Sequence, residues 1–274
     1  MCWCVGGNVK RGCWLERRDR MQRVSYDGQS MSGLYMDFCK SWLQGLLAAV
    51  IVTSVMVAPC TAQISGIVAM WPLDEGEGEI VFSTVGQGLE GTLFGGTWIE
   101  GVKGTALALS GANEYLAFLD SNVPSSIPFT ISLWIRLPAD AGDFAGIMWR
   151  SVGNYVGWWL GHHHSGHARL VVGHGDSYSS VSGGPDLRNG KWHQLIAVIA
   201  PGELRLYVDG ELAGHAGFDK DVVFADRPLM VGGELKWMGL VGAFVGDVDE
   251  IVVFERALTE EEVKTLFTVG VKGD

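Results

Sequence analysis

Three groups of side chains in the 274-residue chain have types and spacings that could do chemistry. The first is a histidine run. His162, His163, His164, His167 and His174 fall within WWLGHHHSGHARLVVGH, five of the seven histidines present. Imidazoles at this density suit zinc or nickel. Yet the stretch holds no carboxylate, and no H-E-x-x-H pattern sets two histidines on one helical face. Strand-like runs, YVGWWLG and ARLVVG, flank it. The reading is an exposed polar connection between strands, not a catalytic or metal centre. His193, in WHQL, reads as structural.

The second group is acidic. GDVDEIVVFE sets Asp247 and Asp249 two residues apart. Strict alternation then places Ile251 and Val253 next on their face, and Glu250 and Glu255 on the other. A retaining glycosidase needs two carboxyl groups about 5–5.5 Å apart. No third carboxylate falls on the Asp247 face. The chain also lacks a G-x-S-x-G elbow and a phosphate-binding glycine loop at a strand-to-helix junction. No catalytic residues are expected.

The third group is aromatic. The chain has 11 tryptophans, and Trp149, Trp158, Trp159 and Trp237 are the ones available for a ligand, with Arg150 beside them. Indoles stack on sugar rings, but they also fill the ends of wide sandwiches. Trp158 and Trp159 are consecutive, so one of them must face away from the core. Arg188 and Asn154 are nearby candidates for bonding hydroxyls or carboxylates.

These groups need a scaffold, and the scaffold reads as β. Glycine is frequent (39), and 47% of residues are hydrophobic. From Ile64 on, short alternating runs are separated by Gly, Asp, Asn and Pro, the pattern of an all-β sandwich or barrel. In FTISLWIR, Phe129, Ile131, Leu133 and Ile135 share one face, and Thr130, Ser132, Trp134 and Arg136 the other. Leu204, Leu206 and Val208 point inward in ELRLYVDG, whose Asp209-Gly210 predicts a type I′ hairpin turn. ALTEEEVKTLF alone reads as helix. Thr259 and Glu262 make its capping box, and Val263, Leu266 and Phe267 its apolar stripe.

The first 62 residues differ from the rest. They hold all five cysteines and seven Lys and Arg against four Asp and Glu; the remainder holds 13 against 27. So acidic a body argues against nucleic acid or an anionic membrane surface as partner. LQGLLAAVIVTSVMVA is an uncharged apolar run, preceded by Lys40 and followed by Cys60-Thr61-Ala62. That layout predicts a secretory signal peptide over 36–62, cleaved after Ala62, with an uncleaved anchor as the alternative. The run is shorter than the ~20 residues of a spanning helix, so none remains after cleavage. Met36 is the expected start, leaving 1–35 untranslated or disordered. The domain at 63–274 then contains no cysteine.

The ordered pieces AMWPLDEGEGE, GTLFGG, GTALALSGANEYLAF, FTISLWIR, GKWHQLIAVI, LRLYVDGELA, LMVGG and GDVDEIVVFERALTEEEV span residues 69–263. In this order the chain resembles the laminin-G-like jelly-roll domains of the concanavalin A-like lectin/glucanase superfamily. The resemblance implies a two-sheet antiparallel jelly-roll with one short C-terminal helix, and framework roles for Trp71, Trp134 and Trp192. Related glucanases carry a Glu-x-Asp-x-x-Glu-like strand that VDEI does not reproduce. Similar domains often hold a structural calcium near the first-strand loop. Here that loop reads STVGQGLEG, without the usual Asp and Asn; Asn113, Glu114, Asp247 and Asp249 are the candidate ligands left. The function implied is a non-enzymatic module binding a glycan or an extracellular protein. A glycoside hydrolase of the same fold and a structural envelope module are the alternatives.

Overall fold

A computed structural model describes residues 12–17, 20–25, 64–119, 123–236 and 239–269, with side chains at 64–119, 123–233 and 242–269. The chain divides into two units, Met1–Cys60 and Thr61–Asp274. In the first, within the segment read as untranslated or disordered, strands β1 (Gly12–Arg17) and β2 (Arg20–Ser25) pair antiparallel. A lone two-stranded ladder is marginal in water. The signal-peptide segment 36–62 lies outside the described residues.

The second unit opens with β3 (Ile67–Trp71), β4 (Ile80–Val81), β5 (Gly91–Phe94), β6 (Thr97–Glu100), β7 (Thr105–Ser110) and β8 (Tyr115–Phe118). Then come β9 (Phe129–Arg136), β10 (Ala145–Val152), β11 (Val156–His162), β12 (Ala168–Gly173) and β13 (Tyr178–Gly183). After β14 (Trp192–Ala200), β15 (Glu203–Val208) and β16 (Glu211–Gly217) follow β17 (Leu229–Val231), β18 (Glu234–Lys236), β19 (Gly239–Val241), β20 (Val245–Phe254) and helix α1 (Glu260–Val269). One sheet runs β16-β15-β14-β9-β20-β7-β6, with β3 also on β20; the other runs β13-β12-β11-β10-β17-β8-β5-β4. The strand pairings of both sheets are antiparallel. This is the jelly-roll sandwich the sequence implied.

Alternation explains the layers. Phe129, Ile131, Leu133 and Ile135 lie between the sheets with Leu204, Leu206 and Val208, as expected. The Asp209-Gly210 turn has φ of 51° and 79°, and Val208 pairs with Glu211 across it. Both φ values are those a type I′ turn requires. In β20 the alternation read from the sequence fails. The register with β9 shifts between Asp249 and Val252, and Glu250 sits at φ 49°. This β-bulge inverts the phase of the strand. Val248, Ile251 and Val253 face the inter-sheet core, whereas Val252 and Phe254 pack on the other side. The expected sharing of one face by Asp247, Asp249, Ile251 and Val253 is therefore corrected.

Helix α1 starts where its capping box predicted. Glu262 Oε2 accepts from Thr259 N–H at 2.9 Å, and Thr259 Oγ1 from Glu262 N–H at 3.3 Å. Val263 and Leu266 lie on Ile196, Val198, Tyr207, Val252 and Phe254, on the outer face of the first sheet. The helix covers that part of the face. The second sheet keeps a different kind of outer face, described next.

Candidate functional site

Five buried residues form an apolar cluster on the outer face of the second sheet: Ala117, Trp149, Trp159, Val171 and Met230. Trp149 and Trp159 are direct cross-strand partners in β10 and β11, and their rings stack at 5.1 Å and 23°. A bulge between Gly146 and Met148 precedes Trp149, whose indole lies so close over Gly146 that a Cβ there would overlap it. Phe144 meets both indoles edge-on, at 6.5 and 5.3 Å. Trp159 Nε1 donates to Asn154 Oδ1 at 3.0 Å. On its far side the Arg169 guanidinium lies 6.0 Å from the Trp159 ring and donates to Ser180 Oγ.

Next to this cluster the surface opens into a groove of about 230 Å³. Buried Ala117, Trp149, Ser151 and Met230 form its floor. Tyr115, Phe94, Leu119, Pro228 and Arg227 complete the lining. The Phe94 and Tyr115 rings stack at 4.6 Å and 22°, and Phe94 is 40% exposed. Ser151 Oγ is buried in the floor and has no hydrogen-bond partner among the described residues. A buried hydroxyl left unpaired costs about 1–3 kcal/mol, which a ligand hydroxyl or a water relieves. An aromatic wall, an apolar floor and one orphan hydroxyl are what a sugar ring needs. Its apolar face stacks and its hydroxyls bond.

Of the expected binding residues that are described, Trp149 lines this groove, and Trp158, Trp159 and Arg150 are buried outside its lining. Trp159 does face away from the core, but it is 2% exposed beneath Phe144 and the Asn154 loop. Trp158 is wholly buried between the sheets against Phe129, so it is no platform. Its neighbour takes the outward side because consecutive strand residues alternate. Arg150, buried to 6%, points inward too. It donates to the Pro124 carbonyl and, at 3.3 Å, to the Arg227 carbonyl, tying two loops to the sheet. Arg188 is held by Asp186 and Asp143. Trp237 lies outside the described residues.

Three of the four candidate calcium ligands have partners within the protein. Among the described residues no three His, Cys, Asp or Glu side chains could hold one ion together. Glu114 Oε2 accepts from Ser110 N–H at 2.6 Å, which holds its carboxyl below the usual range, and Asn113 sits at φ 61° in the preceding turn. Asp247 is paired with Arg136 at 2.6 Å. Asp249 accepts from the N–H groups of Val102, Lys103 and Glu250 at 2.8, 3.2 and 2.8 Å. Burial pushes its pKa up to about 7 despite these donors. Its oxygens pin the turn at 101–104. Glu250, raised by burial, pairs with Lys103 at 3.3 Å.

His163, His164 and His167 lie on the β11–β12 hairpin connection and His174 on the β12–β13 connection, whereas His162 is a buried strand residue, not an exposed one as expected. His162 ends β11, and Ala168 opens β12 opposite it. His163 N–H bonds the His167 carbonyl at 3.0 Å across the turn. His162 itself is buried. Desolvation, with Arg188 nearby, lowers its pKa to about 4, so it is neutral at pH 7.

Residues 110–264, more than half of the chain, match the family model of the concanavalin A-like lectin/glucanases superfamily. The chain belongs to that superfamily. Solved structures agree in fold. The binding domain of Paraclostridial Mosquitocidal Protein 1 is 16% identical with a TM-score of 0.61, over 74% of this chain and 52% of that one. Domain 4 of AbnA, a GH43 extracellular arabinanase from Geobacillus stearothermophilus, in complex with arabinotriose, is 19% identical with a TM-score of 0.60, over 74% and 98%. The botulinum neurotoxin serotype C1 binding domain is 14% identical with a TM-score of 0.57, over 74% and 51%. The chain thus spans about half of the two toxin domains and nearly all of the arabinanase domain. No curated protein matches in sequence.

Within this superfamily fold, the residues missed from sequence are Phe94, Tyr115, Ser151 and Arg227. A signal existed for two of them. In GTLF and YLAF, alternation sends Leu93 and Leu116 into the core and Phe94 and Tyr115 outward, where they become partners in register. Nothing local marks Ser151 or Arg227.

Proposed function

We propose that this domain is a non-catalytic carbohydrate-binding module, with the sugar seated in the Tyr115–Trp149–Met230 groove. The observation that carries this reading is an aromatic groove open on the outer face of the second sheet, with an unpaired hydroxyl in its floor. The arabinanase domain of the same fold that was crystallised with arabinotriose supports it. The hydrolase reading finds less support. Asp249 accepts from three backbone donors, Glu250 is ion-paired with Lys103, and Asp247 with Arg136. We further propose export through the 36–62 signal peptide. Among the described residues no helix is long and apolar enough to cross a membrane.

Glycan-array screening followed by calorimetry tests the module. Binding that weakens tenfold or more in Phe94→Ala and Tyr115→Ala, at an unchanged melting temperature, is the expected result. Binding untouched by both would remove the groove from consideration, and turnover of a β-glucan lost in Asp249→Asn would make the protein an enzyme. Mass spectrometry of the exported protein should find Gln63 at its N-terminus.

A further inference from the structure

We infer that the sugar taken by this groove carries a carboxylate, and that Arg227 reads it. This rests on the carbohydrate reading above. Of the residues lining the groove, Arg227 alone is charged. Its side chain forms no ion pair or hydrogen bond among the described residues, and in this it stands apart from every other described arginine of the domain. Arg136, Arg188, Arg205 and Arg256 are in ion pairs, Arg150 bonds carbonyls, and Arg169 bonds Ser180 beside Trp159.

The neighbouring carboxylate, Asp226, forms no ion pair with it among the described residues. Asp226 acts electrostatically on Arg150, whose pKa it supports against burial. Arg227 is nonetheless anchored, because its own carbonyl receives the Arg150 Nε–H at 3.3 Å. An unpaired guanidinium is unexpected on a body with 13 basic and 27 acidic residues. A planar guanidinium fork matches a carboxylate through two parallel hydrogen bonds. Arg227 is exposed at the groove edge, where its guanidinium can meet a ligand lying against the apolar wall. The surrounding acidic field disfavours polyanions, so one carboxylate per bound ring is the fitting ligand, not a densely sulfated chain.

The test uses the whole protein and two matched pairs of probes: oligogalacturonate with its methyl ester, and sialyllactose with lactose. Calorimetry should find one acidic sugar bound at least tenfold more tightly than its neutral counterpart. Arg227→Gln should bring that pair within twofold of each other and leave the melting temperature unchanged. Equal binding of acidic and neutral partners by the wild type overturns the inference, as does a preference that survives Arg227→Gln. Neutral binding that is lost in Tyr115→Ala, with no gain from the carboxylate, keeps the groove and discards Arg227. Silence of every probe overturns both.

Discussion

Trp149 and Trp159 stack at 5.1 Å across two neighbouring antiparallel strands, and both are almost wholly buried on the outer face of their sheet. Trp149 forms part of the groove floor, and Trp159 packs against it outside the lining. Trp149→Ala and Trp159→Ala should each cost about 3–5 kcal/mol of stability, as should Trp158→Ala in the inter-sheet core. A double-mutant cycle on the Trp149–Trp159 pair should return a coupling of about 1 kcal/mol. Chemical denaturation measures all of these. Indole variants that keep full stability would mean the two rings are not packed as described.

Gly146 lies directly beneath the Trp149 indole. Gly146→Ala should push the ring outward and cost about 1–3 kcal/mol through overpacking. Tryptophan emission should move to longer wavelength as the ring gains water. An unchanged spectrum at unchanged stability would show that the indole does not rest on this glycine.

Two buried groups give stability opposite pH slopes. His162 has a folded pKa lowered to about 4, so above pH 6.5 it contributes nothing. As pH falls from 6.5 to 4 the unfolded chain takes the proton and the fold does not, and about 3 kcal/mol is lost. Asp249 has a folded pKa raised to about 7, so stability from this group is lost as pH rises from about 4 to 7, by about 4 kcal/mol. The wild type should be nearly level between pH 4.5 and 6.5. His162→Leu should be more stable at pH 4.5 than at 6.5, and Asp249→Asn less. Urea melts at both values decide this, and parallel slopes in the two variants would refute it.

Arg256 grips Glu262 through both nitrogens, at 2.9 and 2.7 Å, on the first turn of the helix that closes the first sheet. That grip, with the Thr259 donor, lowers the Glu262 pKa to about 2. Its stabilisation is present above about pH 4.5 and is lost as pH falls toward 2. Solvent screens a pair this exposed, so Glu262→Gln should cost about 1 kcal/mol at pH 7 and nothing near pH 2. Equal loss at both values would assign the effect to the cap hydrogen bonds alone.

The β class, the layer assignment of β9 and β15, the Asp209-Gly210 turn and the α1 cap were readable in the sequence. Each is decided by neighbours within a few residues, through alternation of period two, a φ > 0 requirement or a capping pair. The same logic told that one of Trp158 and Trp159 must face outward. It could not tell which, because that depends on the phase of the strand against a partner sheet.

What only the tertiary structure decided was accessibility and company. A bulge at Asp249–Glu250 inverted a strand whose sequence looks regular, and Asp249 and Asp247 are engaged by backbone N–H groups and by Arg136. Burial by Phe144 and the Asn154 loop took Trp159 out of reach, and Arg150 was turned toward carbonyls of distant loops. Phe94, Tyr115, Ser151 and Arg227 come from four separate stretches of chain and meet only because β5, β8 and β10 are arrayed around β17. Sequence determines which face a side chain takes on its own strand. The order of strands in the sheet determines which faces adjoin, and that order comes from contacts among residues far apart in the chain.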